Sequence, residues 1–133
     1  RNPNYIKAPY YQAIREVVLS VVLSQGYYLP PIGEVFQQFG HLFSQHTVIR
    51  LLGPDRSDIE ERTGNRWHQR VDRRDGELAE TATIVRELLA QGTDVTVNVN
   101  NHFEGSAPGT IDALCDLLEL PAPTLRRTKR TLL

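Results

Sequence analysis

The sequence predicts an α/β fold in which parallel strands alternate with helices. Residues 47–52 (TVIRLL) are apolar apart from one charge, and Gly53 and Pro54 stop this run, which is typical of a buried strand that leads into a loop. Residues 95–99 form a second, valine-rich strand, and a helical pattern over 75–91 lies between the two. Apolar strands separated by helices indicate parallel pairing in a sheet that the helices cover.

The amino-terminal third of the chain allows two interpretations. Apolar side chains from Tyr10 to Val21 recur at helical spacing, and Gly26 would end such a helix. The segment VVLSVVLS is also rich in β-branched residues, which favour strands. A shorter helix over 9–16 followed by a strand over 17–23 is therefore a real alternative, and periodicity does not separate the two.

The longest predicted helix spans 75–91, and Gly92 ends it. Its apolar stripe consists of Leu78, Ala82, Val85 and Leu88. The remaining predicted elements are a loop over 27–33, a short helical turn over 34–39, a short helix from Ser57 to the residue before Gly64, a polar arginine-rich loop over 65–74, and a last helix capped by Ser106.

Composition limits the class of protein. The chain of 133 residues is 40% hydrophobic and 23% charged, which predicts one folded unit over 1–124 and a basic, mobile tail over 125–133. The net charge of −1 predicts no polyanionic partner, and no run reaches the roughly 18 apolar residues of a membrane span. The single Cys115 fits a reducing, cytoplasmic compartment and is interpreted as a core thiol.

Two features predict that the chain is part of a longer protein. It contains no methionine and begins with Arg1. It also contains only two or three strands, whereas a complete α/β barrel takes about 250 residues. We therefore expect the partner of this chain to be a missing amino-terminal half of the barrel, or else self-association through open strand edges.

Polar residues gather where the second strand ends. On residues 95–99 the valines alternate with Thr96 and Asn98, so one face of the strand is apolar and the other is polar. Asn100, Asn101, His102 and Glu104 follow directly. Ligands of α/β sheets bind beyond the carboxyl ends of the strands, and His and Glu are able to transfer protons there. The alternative is a polar turn in which the asparagines only cap the chain.

Arg50 lies in the middle of the first strand, where an unpaired charge is seldom tolerated. It has two interpretations. It pairs with a carbonyl group or with a carboxylate such as Asp55, or it holds an anionic ligand, because its fork of N–H groups matches carboxylate and phosphate. If the two strands are neighbours, Arg50 and Asn98 face the same interior.

Several kinds of site are not supported by the sequence. The arginine-rich loop over 65–74 is interleaved with acidic residues, which predicts a solvated, self-paired segment more than a phosphate patch. The histidines have no metal-binding spacing, and we predict no metal site. The chain has no phosphate-binding glycine motif and no nucleophile elbow, and the basic tail is too short to predict nucleic-acid binding.

The segment VTVNVNNHFEGSAP, residues 95–108, carries the most specific signal. It resembles the carboxyl-terminal signature of the YecE-like family, numbered seventy-two among the domains of unknown function. In that signature a late strand precedes Asn-Asn-His-Tyr-Glu-Gly and an Ala-Pro pair that opens a helix. The corresponding residues here are Asn100, Asn101, His102, Phe103, Glu104, Gly105, Ala107 and Pro108. Phe103 stands where tyrosine is frequent, which removes a hydroxyl and weakens any proton role at that position.

The resemblance extends beyond this segment. VIRLLG, residues 48–53, resembles the family's preceding strand, and the helix over 75–91 fits the long helix between the strands. The resemblance implies a TIM-like (β/α) barrel of which this chain supplies the last strands, and it implies no particular activity. By position it implies that the barrel mouth is lined by Arg50, Asn98, Asn100, Asn101, His102 and Glu104.

Three hypotheses of function follow. In the first, the chain is a fragment of a barrel enzyme that acts on a small polar or anionic ligand, such as one that contains a phosphate or a sugar. Proton transfer is then assigned to His102 and Glu104, and ligand binding to Arg50, Asn98, Asn100 and Asn101. The second is a non-catalytic binding module or a nucleic-acid-associated module, and the third is a truncated chain without activity. The sequence does not identify a cofactor.

Overall fold

Three parallel strands form one open sheet at the centre of the described chain. The structure is a computed structural model that describes residues 2–121. The strands are β1 (Val21–Gly26), β2 (His46–Gly53) and β3 (Asp94–Val99), in the spatial order β1-β2-β3. The predicted α/β class, with parallel strands between helices, is confirmed. The predicted tail over 125–133 lies outside the described residues.

Helices connect the strands and end where the sequence provides caps. Asp55 rather than Ser57 caps the helix after β2, because its side chain accepts the N–H of Ser57 at 2.8 Å. Ser106 caps the last helix as predicted. The helices are α1 (Ala8–Glu16), α2 (Ile32–Phe39), α3 (Arg56–Thr63), α4 (Asp75–Ala90) and α5 (Ala107–Leu117), with short 3-10 turns at Pro3–Tyr5 and Gly40–Leu42.

At the amino terminus the shorter helix is correct and the continuous helix through Val21 is wrong. α1 ends at Glu16, and the strand begins at Val21, four residues later than the predicted start. Val18 between them has a φ of 55°, which breaks the helix. The β-branched residues after it pair with β2, Val21 being in register with Thr47. Periodicity does not show whether this segment is a helix or a strand, and its pairing with β2 makes it a strand.

The core lies between one face of the sheet and the helices. Along β2 the side chains of Thr47, Ile49 and Leu51 are fully buried, whereas the intervening residues are only half-buried. The predicted apolar stripe of α4 packs into this core, with Leu88 fully buried. Cys115 on α5 is half-buried and lies outside the core cluster, contrary to its interpretation as a core thiol.

The opposite face of the sheet is not covered by the described residues. Val22 of β1 is 52% exposed, and Thr96 and Asn98 of β3 are also exposed. Arg50 of β2 lies on this face between them. A parallel sheet is normally covered on both faces, so this uncovered polar face is a candidate for a functional site.

Candidate functional site

Arg50 and Asn98 are neighbours on the uncovered face of the sheet. The parallel register of β2 and β3 pairs the two residues directly, and Ser24 of β1 continues the row on the other side of Arg50. An open groove of about 340 Å³ begins at this row and extends to the carboxyl ends of the strands. Its lining residues are Arg50, Leu52, Asn98, Val99, Asn100, Asn101 and Ala107. The four residues predicted to bind ligand thus share one groove.

The guanidinium of Arg50 makes no hydrogen bond or ion pair with any residue from 2 to 121. The carboxylate suggested as its partner, Asp55, instead accepts the N–H and the hydroxyl of Ser57 at the start of α3. The hydrogen bonds from Ser57 lower the pKa of Asp55. A half-buried arginine without a protein partner retains all five of its donors for another group.

In the two asparagines after β3, the side-chain oxygen accepts a hydrogen bond, whereas the side-chain nitrogen makes none with residues 2–121. Asn100 Oδ1 accepts the backbone N–H of His102 at 3.0 Å, and Asn101 Oδ1 accepts the backbone N–H of Ala107 at 2.8 Å. These bonds determine the orientation of both amides, because the atom that faces a backbone N–H must be the oxygen. Within the described chain their amide nitrogens have no acceptor, so both side chains have N–H donors available.

The amino terminus of α5 reaches the groove but offers no free N–H group. Ala107 lines the groove, yet its N–H is bound by Asn101, and Pro108 has none. The N–H of Gly109 is capped by the Ser106 hydroxyl at 3.3 Å. The helix therefore contributes the positive end of its dipole rather than direct hydrogen bonds.

Glu104 is fully buried, and its carboxylate accepts four hydrogen bonds. Arg70 donates to both of its oxygens at 2.6 Å, Thr110 Oγ1 donates at 2.6 Å, and the N–H of Arg74 donates at 2.7 Å. Burial alone would raise the pKa of Glu104, but the hydrogen bonds and the charge of Arg70 outweigh it and lower that pKa. An ionised carboxylate with both oxygens occupied favours a structural role over the predicted proton transfer.

The arginine-rich loop is attached to the turn after β3 and is paired within itself. The carbonyl oxygen of Glu104 accepts the N–H groups of Val71 at 2.7 Å and Asp72 at 3.1 Å. Asp72 in turn pairs with Arg74 at 2.8 Å and with Arg62 at 3.3 Å. The self-paired segment that the sequence predicts is therefore present, and Arg62, Arg70 and Arg74 are not free to bind phosphate groups. Arg66 is exposed and makes no ion pair with residues 2–121.

His102 lies beside the groove rather than in its lining. Its Nε2 is 3.5 Å from Glu60 Oε1 on α3, and its side chain is 18% exposed. Trp67 meets the imidazole edge-on, with 5.1 Å between ring centroids. Glu60 and Trp67 were not predicted as site residues, because they are distant in sequence and no local pattern links them to the strand end. The sequence shows only that Glu60 follows Arg56 by four residues, which predicts an ion pair on one helix but no contact with His102.

Two further cavities lie away from the carboxyl ends of the strands. One of about 160 Å³ is lined mainly by apolar and aromatic residues at β1, including Tyr5 and Tyr10. The other, of about 530 Å³, lies between α2 and α4 and is lined by carboxylates, among them Glu80 and Glu87. Among the described residues, neither lining contains an arginine or a lysine, whereas the groove at the strand ends contains the unpaired Arg50, so that groove is the better candidate.

Metal and membrane sites are not found within residues 2–121. No group of three or more His, Cys, Asp and Glu side chains there is arranged to hold a metal ion. None of the helices in this part of the chain has the length and apolar character needed to cross a membrane.

Comparison with known proteins agrees with the resemblance at residues 95–108. A family model described as "Protein of unknown function DUF72" matches residues 1–132. This is the family predicted from the sequence signature, so the prediction is confirmed. No curated protein and no solved structure matched the chain.

Proposed function

This chain belongs to the family of proteins of unknown function DUF72, and we propose that it binds a small anionic ligand in the groove at Arg50. The ligand class is one that carries a phosphate or carboxylate group, with or without an attached sugar. Arg50 carries the proposal, because its guanidinium is half-buried on the sheet and has no partner within residues 2–121. An arginine in this position is stabilised when an anion accepts its hydrogen bonds.

The other groups in the groove favour an anion over a cation. The amide nitrogens of Asn100 and Asn101 are donors, and their oxygens are already occupied by backbone N–H groups. No carboxylate from residues 2–121 belongs to the lining of the groove. A phosphate or carboxylate has only acceptor oxygens, so its hydrogen-bonding capacity complements this set of donors.

The position of the groove supports the same ligand. It lies at the carboxyl ends of β2 and β3, where open α/β sheets bind their ligands. The first residue of α5, Ala107, belongs to the lining, so the positive end of the helix dipole lies at the groove. Two positive sources, the guanidinium and the helix dipole, then act on one bound anion.

Proton transfer is a separate part of the proposal, and we assign it to His102 alone. His102 follows the groove residues directly, and its backbone N–H is bound by Asn100. Glu104 serves instead to attach the loop over 65–74 to the turn after β3. Replacing His102 and Glu104 separately by Gln tests whether either belongs to the site. Unchanged stabilisation by phosphate is expected for Glu104→Gln, whereas unchanged stabilisation in His102→Gln would remove His102 from the site.

The nucleic-acid alternative gains no specific support. Arg70, Arg73 and Arg74 of the loop are paired with acidic residues. The basic residues over 125–133 lie outside the described part. Salt-dependent binding of an oligonucleotide that is lost on deleting 125–133 would favour this alternative over the anion site.

The binding test uses the whole 133-residue chain and inorganic phosphate at constant ionic strength. The dissociation constant is measured by calorimetric titration for the wild type, for Arg50→Gln and for a control, Arg66→Gln. Arg66 is exposed and lies outside the groove. Loss of a charge-assisted hydrogen bond of about 1.5–3 kcal/mol predicts roughly 10- to 100-fold weaker binding for Arg50→Gln only.

Equal affinity of the wild type and Arg50→Gln would refute the proposal, as would an absence of phosphate binding in the wild type. Because Arg50 has no partner in the described chain, its replacement is expected to leave the melting temperature nearly unchanged. A binding defect in Arg50→Gln is then not a consequence of unfolding.

A further inference from the structure

The contact between His102 and Glu60 links the turn after β3 to α3. Glu60 Oε1 is 3.5 Å from His102 Nε2, and both side chains are partly buried, at 29% and 18% exposure. The other ring nitrogen, Nδ1, has no hydrogen-bond partner within residues 2–121. The two nitrogens of one imidazole are therefore in different environments.

The carboxylate of Glu60 is also bound by Arg56. Arg56 lies one helical turn earlier on α3, and its Nε donates to Glu60 Oε1 at 2.6 Å. This hydrogen bond lowers the pKa of Glu60. Arg56 and His102 thus contact the same oxygen of Glu60, Oε1, and the bond from Arg56 limits the freedom of this oxygen to move away from the imidazole.

The ring of His102 is restrained as well. Trp67 packs edge-on against it at 5.1 Å, with an angle of 84° between the two planes. The backbone N–H of His102 donates to Asn100 Oδ1, which lines the groove. The backbone of His102 is thus linked to the groove through Asn100, and its Nε2 lies beside Glu60 of α3.

We infer that Glu60 is a positioning residue for His102, which makes Nε2 the N–H donor and Nδ1 the nitrogen that accepts a proton. A carboxylate beside one ring nitrogen favours the proton on that nitrogen, which leaves the lone pair on the other. When Nδ1 takes a proton from a ligand group, the resulting imidazolium lies beside the negative charge of Glu60. Glu60 itself does not take the proton, as in other carboxylate–histidine pairs.

The part of this inference in which Nδ1 takes a proton from a ligand rests on the proposed function. The tautomer of the His102 ring, however, is measurable without any ligand. The measurement is long-range ¹H–¹⁵N NMR of the whole ¹⁵N-labelled chain, at a pH where the histidine rings are neutral. It reports the ratio of the two tautomers for each ring. His68 is exposed and has no bond to the described residues, so it is an internal reference in the same spectrum.

The expected result is a single Nε2–H tautomer for His102 in the wild type and a mixture like that of His68 in Glu60→Ala. The control Glu61→Ala, on the exposed side of the same helix, is expected to match the wild type. Glu60→Gln keeps the size of the side chain but loses its charge, and its tautomer ratio is expected to fall between the two. It supplies the comparison if Glu60→Ala does not fold.

A His102 ratio equal to that of His68 in the wild type would overturn the inference. So would a ratio in Glu60→Gln that equals the wild-type ratio, or a single tautomer that persists in folded Glu60→Ala. Phosphate binding that depends on Arg50 would survive each of these outcomes. Conversely, an Arg50→Gln variant with normal phosphate affinity refutes the anion site and leaves the tautomer result intact.

Discussion

The guanidinium of Arg70 holds both carboxylate oxygens of Glu104, with Nε to Oε2 and Nη2 to Oε1 each at 2.6 Å. Glu104 is fully buried, whereas Arg70 is 15% exposed and also reaches Asp75 at 2.9 Å. Two parallel charge-assisted hydrogen bonds form the strongest arrangement available to such a pair. This pair attaches the loop over 65–74 to the turn that carries the candidate site.

Replacing Glu104 by Gln is expected to reduce the free energy of unfolding at pH 7 by about 3–5 kcal/mol, because one partner of a buried ion pair is left without the other. Chemical denaturation measures this loss. The milder Thr110→Val, which removes one hydrogen bond to Glu104, is expected to cost about 1.5 kcal/mol. Arg73→Gln, in an exposed pair of the same loop, is expected to cost less than about 1 kcal/mol. Equal costs for Glu104→Gln and Arg73→Gln would contradict this prediction.

The same carboxylate predicts how stability depends on pH. Folding lowers the pKa of Glu104 below the ordinary value of about 4.3, so the unfolded chain binds more protons in acid than the folded chain does. The contribution of Glu104 is therefore complete above about pH 5 and is lost as the pH falls through its folded-state pKa. The difference in unfolding free energy between wild type and Glu104→Gln is expected to shrink over this range. A difference that stays constant down to pH 2 would argue against an ionised Glu104.

The asparagines of the groove are expected to separate binding from stability. Asn98→Ala should weaken phosphate binding without changing the melting temperature, since the Asn98 side chain has no bond to the described chain. Asn101→Ala should weaken binding and also cost about 1 kcal/mol of stability, because its oxygen accepts the N–H of Ala107. Calorimetric titration and thermal melting of each variant measure the two effects. An Asn98→Ala variant with a lowered melting temperature and normal phosphate affinity would show that Asn98 contributes to stability and not to binding.

Gly53 is expected to be irreplaceable at the end of β2. Its φ is 89°, and a Cβ at this position would lie 2.1 Å from the carbonyl oxygen of His102. Gly92 has a similar φ of 78°, but no atom of residues 2–121 would lie within 4 Å of a Cβ there. Gly92→Ala is therefore expected to cost about 1 kcal/mol for the left-handed backbone, and Gly53→Ala roughly 2 kcal/mol more for the backbone clash. Similar denaturation midpoints for the two variants would contradict the close approach.

The uncovered face of the sheet predicts self-association of the isolated chain. Val22 is 52% exposed on this face, and β1 and β3 are both edge strands among the described residues. Sedimentation velocity is expected to show concentration-dependent association, which Val22→Lys weakens. A soluble monomer of residues 1–133 that unfolds cooperatively would contradict the expectation of open, reactive edges.

Local patterns predicted the elements whose signal is confined to a short segment. The apolar run over 47–52 falls within β2, residues 95–99 fall within β3, and the stripe of α4 is buried as expected. The pattern failed over 17–23 because β-branched residues have the same sequence appearance in a helix and in a strand. Only the pairing of β1 with β2 distinguishes these alternatives.

For the candidate site, the sequence by itself identified Arg50 and the asparagines as polar groups on or after buried strands. The tertiary structure decided which of them meet, because the register of β2 and β3 sets Arg50 beside Asn98. It also decided that Glu104 pairs with Arg70, 34 residues away, and that His102 lies beside Glu60. Such contacts are invisible to any local pattern, because they depend on how distant segments pack. Strand periodicity is a property of neighbouring residues, whereas the environment of a charge is a property of the folded chain.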